Sequence, residues 1–332
     1  MNFPNRRRVA VLACASALVM SLAACSSTGG KPDSSGSGIG AGTADTPRIT
    51  IAMVTHAAPG DTFWDLIRTG AQDAADKDNV ELKYSSDPQA PNQANLVQTA
   101  IDSKVDGLAL TLATPEAMAP AVKSAQDAGI PISAFNAGYG AWKDMGATQY
   151  FGQDETIAGQ AAGNRLNEDG AKHVICVIQQ QGQIQLESRC AGAKQTFRGT
   201  FETLNVNGED MPSVNSTIAA KLQQDPSIDG VLTLGAPIAL TAVQSVGNAG
   251  SPAKVYTFDT NAALVDAITD GSVQWAIDQQ PYLQGYLAID SLWLYLNNGN
   301  VIGGGGPTLT GPSFIDKSNI EKVAEYAKAG TR

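Results

Sequence analysis

The chain has 332 residues, 32 acidic against 22 basic, for a formal charge of −10 at neutral pH. That length suffices for one large or two medium domains with well-buried cores, and that charge argues against nucleic acid or an anionic membrane face as the working partner. His56 and His173 are the only histidines, the cysteines are not spaced as zinc ligands, and neither a G-x-S-x-G nor a Walker A pattern occurs, so neither metal nor cofactor is expected and enzyme classes fare badly.

Arg6, Arg7 and Arg8 precede an apolar run from Val9 to Ala24. The run is too short and too rich in small residues to span a bilayer, which predicts a signal peptide over residues 1–24. It closes on Leu22-Ala23-Ala24-Cys25, which resembles a bacterial lipobox and makes Cys25 the expected site of lipidation; an ordinary secretory signal with an incidental cysteine is the alternative. The Ser-, Gly- and Thr-rich stretch that follows predicts a flexible tether over 25–47. The expected location is extracytoplasmic, lipid-anchored to the outer face of the cell membrane, with a mature chain of formal charge −13 once the three arginines are gone. Cys14 leaves with the signal and Cys25 carries lipid, so Cys176 and Cys190 remain. In an oxidising compartment they pair, closing a loop of about 15 residues worth roughly 3 kcal/mol, or else they stand as two buried thiols; the bridge is the expectation.

From Arg48 onward short apolar or β-branched runs alternate with helical stretches. "RITIAMVT" precedes "TFWDLIRTGAQDAADK", in which Phe63, Ile67, Ala71 and Ala74 share one face. "VELKYSS" precedes "NQANLVQTAIDSK", "VDGLALTLA" precedes "PEAMAPAVKSAQDAG", and "IPISAFNAG" follows. A second series begins near Gly152 with Asp154 as N-cap of "ETIAGQAAGNRL". Its strands read "HVICVIQQ", "IDGVLTLG", "KVYTFDT" and "VQWAIDQQ", separated by helical segments such as "PIALTAVQSVGN" and "NAALVDAITDG". "YLQGYLAIDSLWLYLNNG" predicts a long helix with Leu283, Leu287, Leu292 and Leu296 available for burial, returning to the first lobe, and "GPSFIDKSNIEKVAEYAKAG" supplies a last crossing and a terminal helix. The alternation predicts an α/β fold of two doubly wound, open parallel-sheet lobes. Residues 48–151 with 281–308 are expected to form the N-terminal lobe and 152–280 with 309–332 the C-terminal lobe. The three chain crossings fall near 151, 280 and 308.

Open α/β sheets take ligands at the carboxyl ends of their strands. Those ends offer Asp61, Phe63, Trp64 and Asn136 in the first lobe, and Arg189, Gly235, Asp259 and Gln279 in the second. Rings, amides, carboxylates and one guanidinium suit a neutral polyhydroxylated ligand, whose C–H faces pack on rings while each hydroxyl donates and accepts. Each residue also has a structural alternative. Adjacent Phe63 and Trp64 cannot both face one side of a helix, Arg189 can pair with Glu187 at the surface, and Asp259 can cap "NAALVDAI". Asp61, Asn136 and Gln279 can be solvated turn residues, while Tyr139 and Trp142 read as loop packing.

The chain from Arg48 to its end resembles the type I periplasmic sugar-binding proteins, the ribose- and galactose-binding receptors of ABC transporters. The resemblance is carried by "TFWDLIRTGAQDAA", "VDGLALTLATPEAMAPAVKSAQDAGIPISAFNA", "ESRCAGAKQTF", "VYTFDTNAALVDAITDG" and "IDQQPYLQGYLAID", in that order across both lobes. It implies a monomeric, non-enzymatic solute receptor that closes on a small sugar or polyol and delivers it to a membrane permease. Phe63 and Trp64 fall at the family's stacking positions, Arg189 at its sugar-binding arginine, and Asp259 and Gln279 at its hydroxyl partners. Ribose receptors carry Asp-Arg where this chain has Asn136-Ala137, and Asn at Gly235. Those departures shift the expectation from ribose to a sugar alcohol, with pentoses and inositol next. The competing classes are a receptor of the same fold serving a sensor kinase or chemoreceptor, and a secreted carbohydrate-active enzyme. Replacing Arg189 or Asp259 by alanine is expected to abolish binding with little change in stability.

Overall fold

The computed structural model describes residues 42–332; the expected signal peptide, Cys25 and the first part of the tether lie outside the described residues. The chain starts with β1 (Ile49–Thr55), α1 (Phe63–Asp78), β2 (Val80–Ser86), α2 (Ala90–Asp102), β3 (Gly107–Leu110), α3 (Pro115–Asp127), β4 (Ile132–Asn136) and β5 (Gln149–Gly152). It continues with α4 (Glu155–Glu168), β6 (His173–Ile178), α5 (Ile184–Thr196), β7 (Thr200–Asn205), α6 (Met211–Gln224), β8 (Gly230–Thr233), α7 (Ala236–Ala249), β9 (Lys254–Phe258), α8 (Ala262–Asp270) and β10 (Val273–Asp278). Then follow α9 (Pro281–Asn298), β11 (Thr308–Leu309), β12 (Ser313–Asp316) and α10 (Ile320–Lys328). Among the described residues no helix is long and apolar enough to cross a membrane.

Two six-stranded sheets result, ordered β11-β5-β4-β3-β1-β2 and β12-β10-β9-β8-β6-β7. All neighbours pair in parallel except β10 and β12. Period-two side-chain alternation explains why both faces of each sheet are covered. Along β1, Ala52 and Val54 point into one core while Ile51 and Met53 point into the other; along β6, Ile175 and Val177 oppose Val174, Cys176 and Ile178 in the same way. The chain passes between the sheets three times: from β5 to α4, from β10 to α9, and from β11 to β12. Cys176 of β6 and Cys190 of α5 are joined by a disulfide.

Local signals set most boundaries. Asp154 caps α4 by accepting from the amides of Thr156 and Ile157 at 3.0 and 3.1 Å. Proline opens α2, α3, α6, α7 and α9, where its missing N–H costs nothing. Besides the short strands β11 and β12, three elements escape the sequence reading. β5 is only four residues, and β7 is an edge strand with no buried residue. The helix α6 follows it with a three-residue buried stripe, Val214, Ile218 and Leu222.

Two helix pairs pack at glycine. A Cβ on Gly285 of α9 would meet the Ile67 carbonyl oxygen of α1 at 2.0 Å, and one on Gly159 of α4 would meet the Arg189 carbonyl oxygen of α5 at 2.3 Å. That contact corrects the expected leucine stripe on α9. Its buried face is Gln284, Gly285, Ala288, Ile289, Ser291 and Leu292, while Leu283 and Leu287 are half-buried and Leu296 is exposed. A helix that approaches its neighbour this closely gives much of its buried face to small residues, and of the four expected leucines only Leu292 is fully buried. The end of the expected tether is also docked rather than free. Ala44 N donates to Lys77 O at 2.8 Å, and Thr46 accepts from Asn79 Nδ2 and Trp293 Nε1.

Candidate functional site

The carboxyl ends of both sheets face one another across a cavity with about 390 Å3 of free space, its open mouth included. All seven side chains singled out in the sequence line it: Asp61, Phe63, Trp64 and Asn136 from the first sheet's side, Arg189, Asp259 and Gln279 from the second's. Gly235 lines it too. Phe63 and Trp64 both reach it from the first two positions of α1, at the helix end that faces the cavity. Their rings meet edge to face at 5.3 Å between centroids. Trp142 and Tyr139 pack instead against Tyr150 inside the first lobe.

Arg189 does not pair with Glu187. It is 2 % exposed and donates from Nε and Nη2 to the Glu155 carboxylate at 2.6 and 3.1 Å, and from Nη1 to the Leu234 carbonyl at 3.3 Å. Its guanidinium lies over the Phe258 ring at 4.8 Å. The fork geometry follows from the α4–α5 contact: Glu155 stands one turn above Gly159, whose missing side chain lets the backbone at Arg189 come close. The pairing with Glu155 and Asp259 raises the Arg189 pKa above its ordinary value against the cost of burial.

Asp259 does not cap α8; Asn261 does, accepting from Leu264 N at 2.8 Å. Asp259, the residue after β9, is in the left-handed region at φ 64, and Asn136, the last residue of β4, at φ 62. Non-glycine residues held there are uncommon, and Asn and Asp tolerate it best. The two positions are equivalent, each at the carboxyl end of the fourth strand of its lobe. Gln279 Nε2 donates to Asp259 Oδ1 at 2.7 Å. That bond fixes the Gln279 amide, whose Oε1 then accepts from Gln284 at 3.0 Å and from Asn136 at 3.4 Å. Burial pushes the Asp259 carboxyl up to about 7, with Arg189 and Gln279 opposing and the charges of Glu155 and Asp61 adding. The same desolvation raises Asp61, against the Phe63 amide that hydrogen-bonds it.

Several lining residues were not singled out in the sequence. His56 follows β1, and its Nδ1 lies 2.8 Å from Thr111 Oγ1. Burial first, and Arg189 second, hold its pKa down at about 3, so the ring is neutral. The loop after β6, Gln-Gln-Gln-Gly-Gln-Ile-Gln over 179–185, contributes Gln179, Gln180, Gln183 and Gln185. Five glutamines in seven residues at a strand's carboxyl end was the available signal. Besides the Asn136–Gln279 bond, contacts that join the lobes beside the cavity include Gln185 Nε2 at 2.9 Å from His56 Nε2, Ile184 N donating to Ala113 O at 3.0 Å, and Asn261 Nδ2 donating to Thr62 Oγ1 at 3.2 Å. Among the described residues one group, His173, Glu202 and Asp225, is close enough to hold a metal ion. It begins at the opposite end of β6 from the cavity, and Lys221 already donates to Glu202 at 2.7 Å.

A family model described as the periplasmic binding protein domain matches residues 51–300. The chain belongs to this family. A crystal structure of a carbohydrate transporter from Acidothermus cellulolyticus, in complex with myo-inositol, is 61 % identical; the match covers 86 % of this chain and 100 % of that one, at a TM-score of 0.85. The xylose/arabinose-binding protein of Sulfolobus acidocaldarius is 26 % identical over 264 residues, 73 % of this chain and 64 % of that protein's own length. The D-ribose/D-allose-binding protein of Pseudomonas aeruginosa is 27 % identical over 276 residues, 77 % of this chain and 84 % of that protein.

Proposed function

We propose that this chain is the solute receptor of an ABC importer and that its cavity takes a neutral cyclic polyol of the inositol class. The observation that carries the reading is the 61 % identical structure with myo-inositol, matched along its whole length. The lining supports it. The rings of Phe63 and Trp64 suit the C–H face of a ring, and Arg189, Asn136, Asp61, Asp259 and Gln279 suit its hydroxyls. Nothing in this set demands a ring oxygen or an anomeric hydroxyl. Inositol, expected from the sequence behind a sugar alcohol, therefore moves ahead of it.

Capture works by closure. The three crossings act as the hinge, and a ligand touching both lobes favours the closed arrangement by its differential affinity for it. The closed receptor then docks on a permease. Lipid on Cys25 holds it at the outer membrane face, and substitution Cys25→Ser should release the mature protein into the soluble fraction.

A thermal-shift and calorimetry panel of inositols, linear alditols, pentoses and hexoses tests the reading. The cognate ligand at 100 times its dissociation constant should add about 2.7 kcal/mol of stability. Tight binding of an aldose with no response to any inositol would overturn the ligand class.

A further inference from the structure

The charge inside the cavity is unbalanced. Arg189 is the one cation among the lining residues, since His56 is neutral, and the bidentate pair with Glu155 already matches its charge. Two more carboxylates, Asp61 from the first lobe and Asp259 from the second, line the same space. Asp259 Oδ2 makes only a longer ion pair with Arg189 Nη1, at 3.6 Å and beyond hydrogen-bond reach, so one guanidinium faces three carboxylates.

The amides add further acceptors. Asn136 spends Nδ2 on Gln279 and Gln284, which leaves its Oδ1 free. Gln185, only 5 % exposed, and Gln179 each hold a buried Oε1 without a partner. A hydroxyl brings one hydrogen to such a lining; an ammonium brings three, and a positive charge.

We propose that the cavity also takes a cationic amino polyol, a ring of inositol size in which one hydroxyl is replaced by a protonated amine seated between Asp61 and Asp259. The proposal rests on the polyol reading above. Closure brings these two carboxylates together from opposite lobes, and an ammonium between them offsets their repulsion and the cost of its own desolvation. The charged groups facing Asp259 are Arg189 of α5, Glu155 of α4 and Asp61 of the β1–α1 loop. An anionic polyol meets two carboxylates with no free cation and is rejected.

Calorimetry on the mature protein at pH 8 and pH 6 tests this with three probes: myo-inositol, a monoamino-monodeoxyinositol and glucuronate. At pH 8 the amine should bind within tenfold of myo-inositol or tighter, and glucuronate not at all at millimolar concentration. The amine-to-inositol affinity ratio should fall about fivefold or more at pH 6, because a carboxyl titrating at about 7 is then mostly protonated. That comparison needs no variant. Asp61→Asn and Asp259→Asn should each weaken the amine at least tenfold more than they weaken myo-inositol. An amine bound more than tenfold weaker than myo-inositol, a ratio that ignores pH, or variants that weaken both ligands equally would overturn the proposal and leave the polyol reading standing. If neither ligand binds, both fall.

Discussion

Arg189 shows how a site residue can be legible in its place and illegible in its energetics. Position at a strand end pointed to it, but its partner was unreadable: Glu155 is 34 residues away in sequence and meets it only because two helices touch at a glycine. The expectation that Arg189→Ala leaves stability nearly unchanged therefore fails on physical grounds. Removing the guanidinium strands a buried carboxylate, and breaking such a pair costs about 3–5 kcal/mol. Urea denaturation should show that loss for Arg189→Ala and for Glu155→Ala alike, whereas the pair Arg189→Met with Glu155→Leu should recover most of it and still bind no ligand. A single variant within about 1 kcal/mol of the parent would refute the buried-pair account. Asp259 carries a pH signature of its own. Its carboxyl is raised in the fold to about 7 from an ordinary 3.8, so the native state holds the proton more tightly than the unfolded chain. That contribution is fully present below the unfolded pKa and is lost as pH rises through about 7. The stability gained by Asp259→Asn over the parent should therefore grow from pH 5 to pH 8 in urea titrations, and a constant difference would contradict it.

At the scale of elements, the strands that point into two cores were readable because apolar runs in a parallel sheet are continuous, and helix starts were readable from Asp154 and the prolines. β7 and α9's packing face were not. An edge strand with no buried residue carries little apolar signal, and a glycine-mediated helix contact shifts the buried face toward small residues, leaving three of the four expected leucines only half-buried or exposed. Gly159 makes this testable. A methyl group there has to push α5 away, since it would sit 2.3 Å from the Arg189 carbonyl oxygen, and Arg189 moves with the helix. Gly159→Ala should lower stability and weaken ligand binding tenfold or more, while Gly285→Ala, at the α1–α9 contact away from Arg189, should lower stability with a smaller effect on affinity. Equal losses of affinity would show that the α4–α5 contact has no special hold on the guanidinium. The Cys176–Cys190 bridge acts on the same helix, joining it to β6 one residue beyond Arg189. Its removal by Cys176→Ser with Cys190→Ser should cost roughly 2–4 kcal/mol.

For the whole molecule, the closure proposed above makes the balance between closed and open arrangements the property to test, and His56 lies between the lobes where such a balance can be read. In the described arrangement its ring sits between the lobes, 2.9 Å from Gln185 of the opposite lobe, in edge contact with Trp64 at 4.7 Å and buried beside Arg189. On its own lobe the ring's Nδ1 lies 2.8 Å from Thr111 Oγ1, which also accepts from His56 N and Gln93 Nε2 at 3.1 Å each. In that arrangement burial first, and Arg189 second, hold its pKa at about 3; if the proposed opening returns the ring to water, its ordinary 6.5 applies there. The closed form thus binds fewer protons between those values, and a ligand that selects the closed form has to drive a proton off His56. Affinity for a neutral ligand should then fall as pH drops below about 6.5, and that part of the fall should vanish in His56→Gln. The acidic groups Asp61 and Asp259 push the other way, but they are common to both proteins, so the comparison isolates the histidine. Calorimetry at pH 7.5 and pH 5 in the parent and the variant decides it: an affinity ratio between the two proteins that stays constant across that range would mean that the ring remains neutral in the open form as well, and that closure is not linked to its proton.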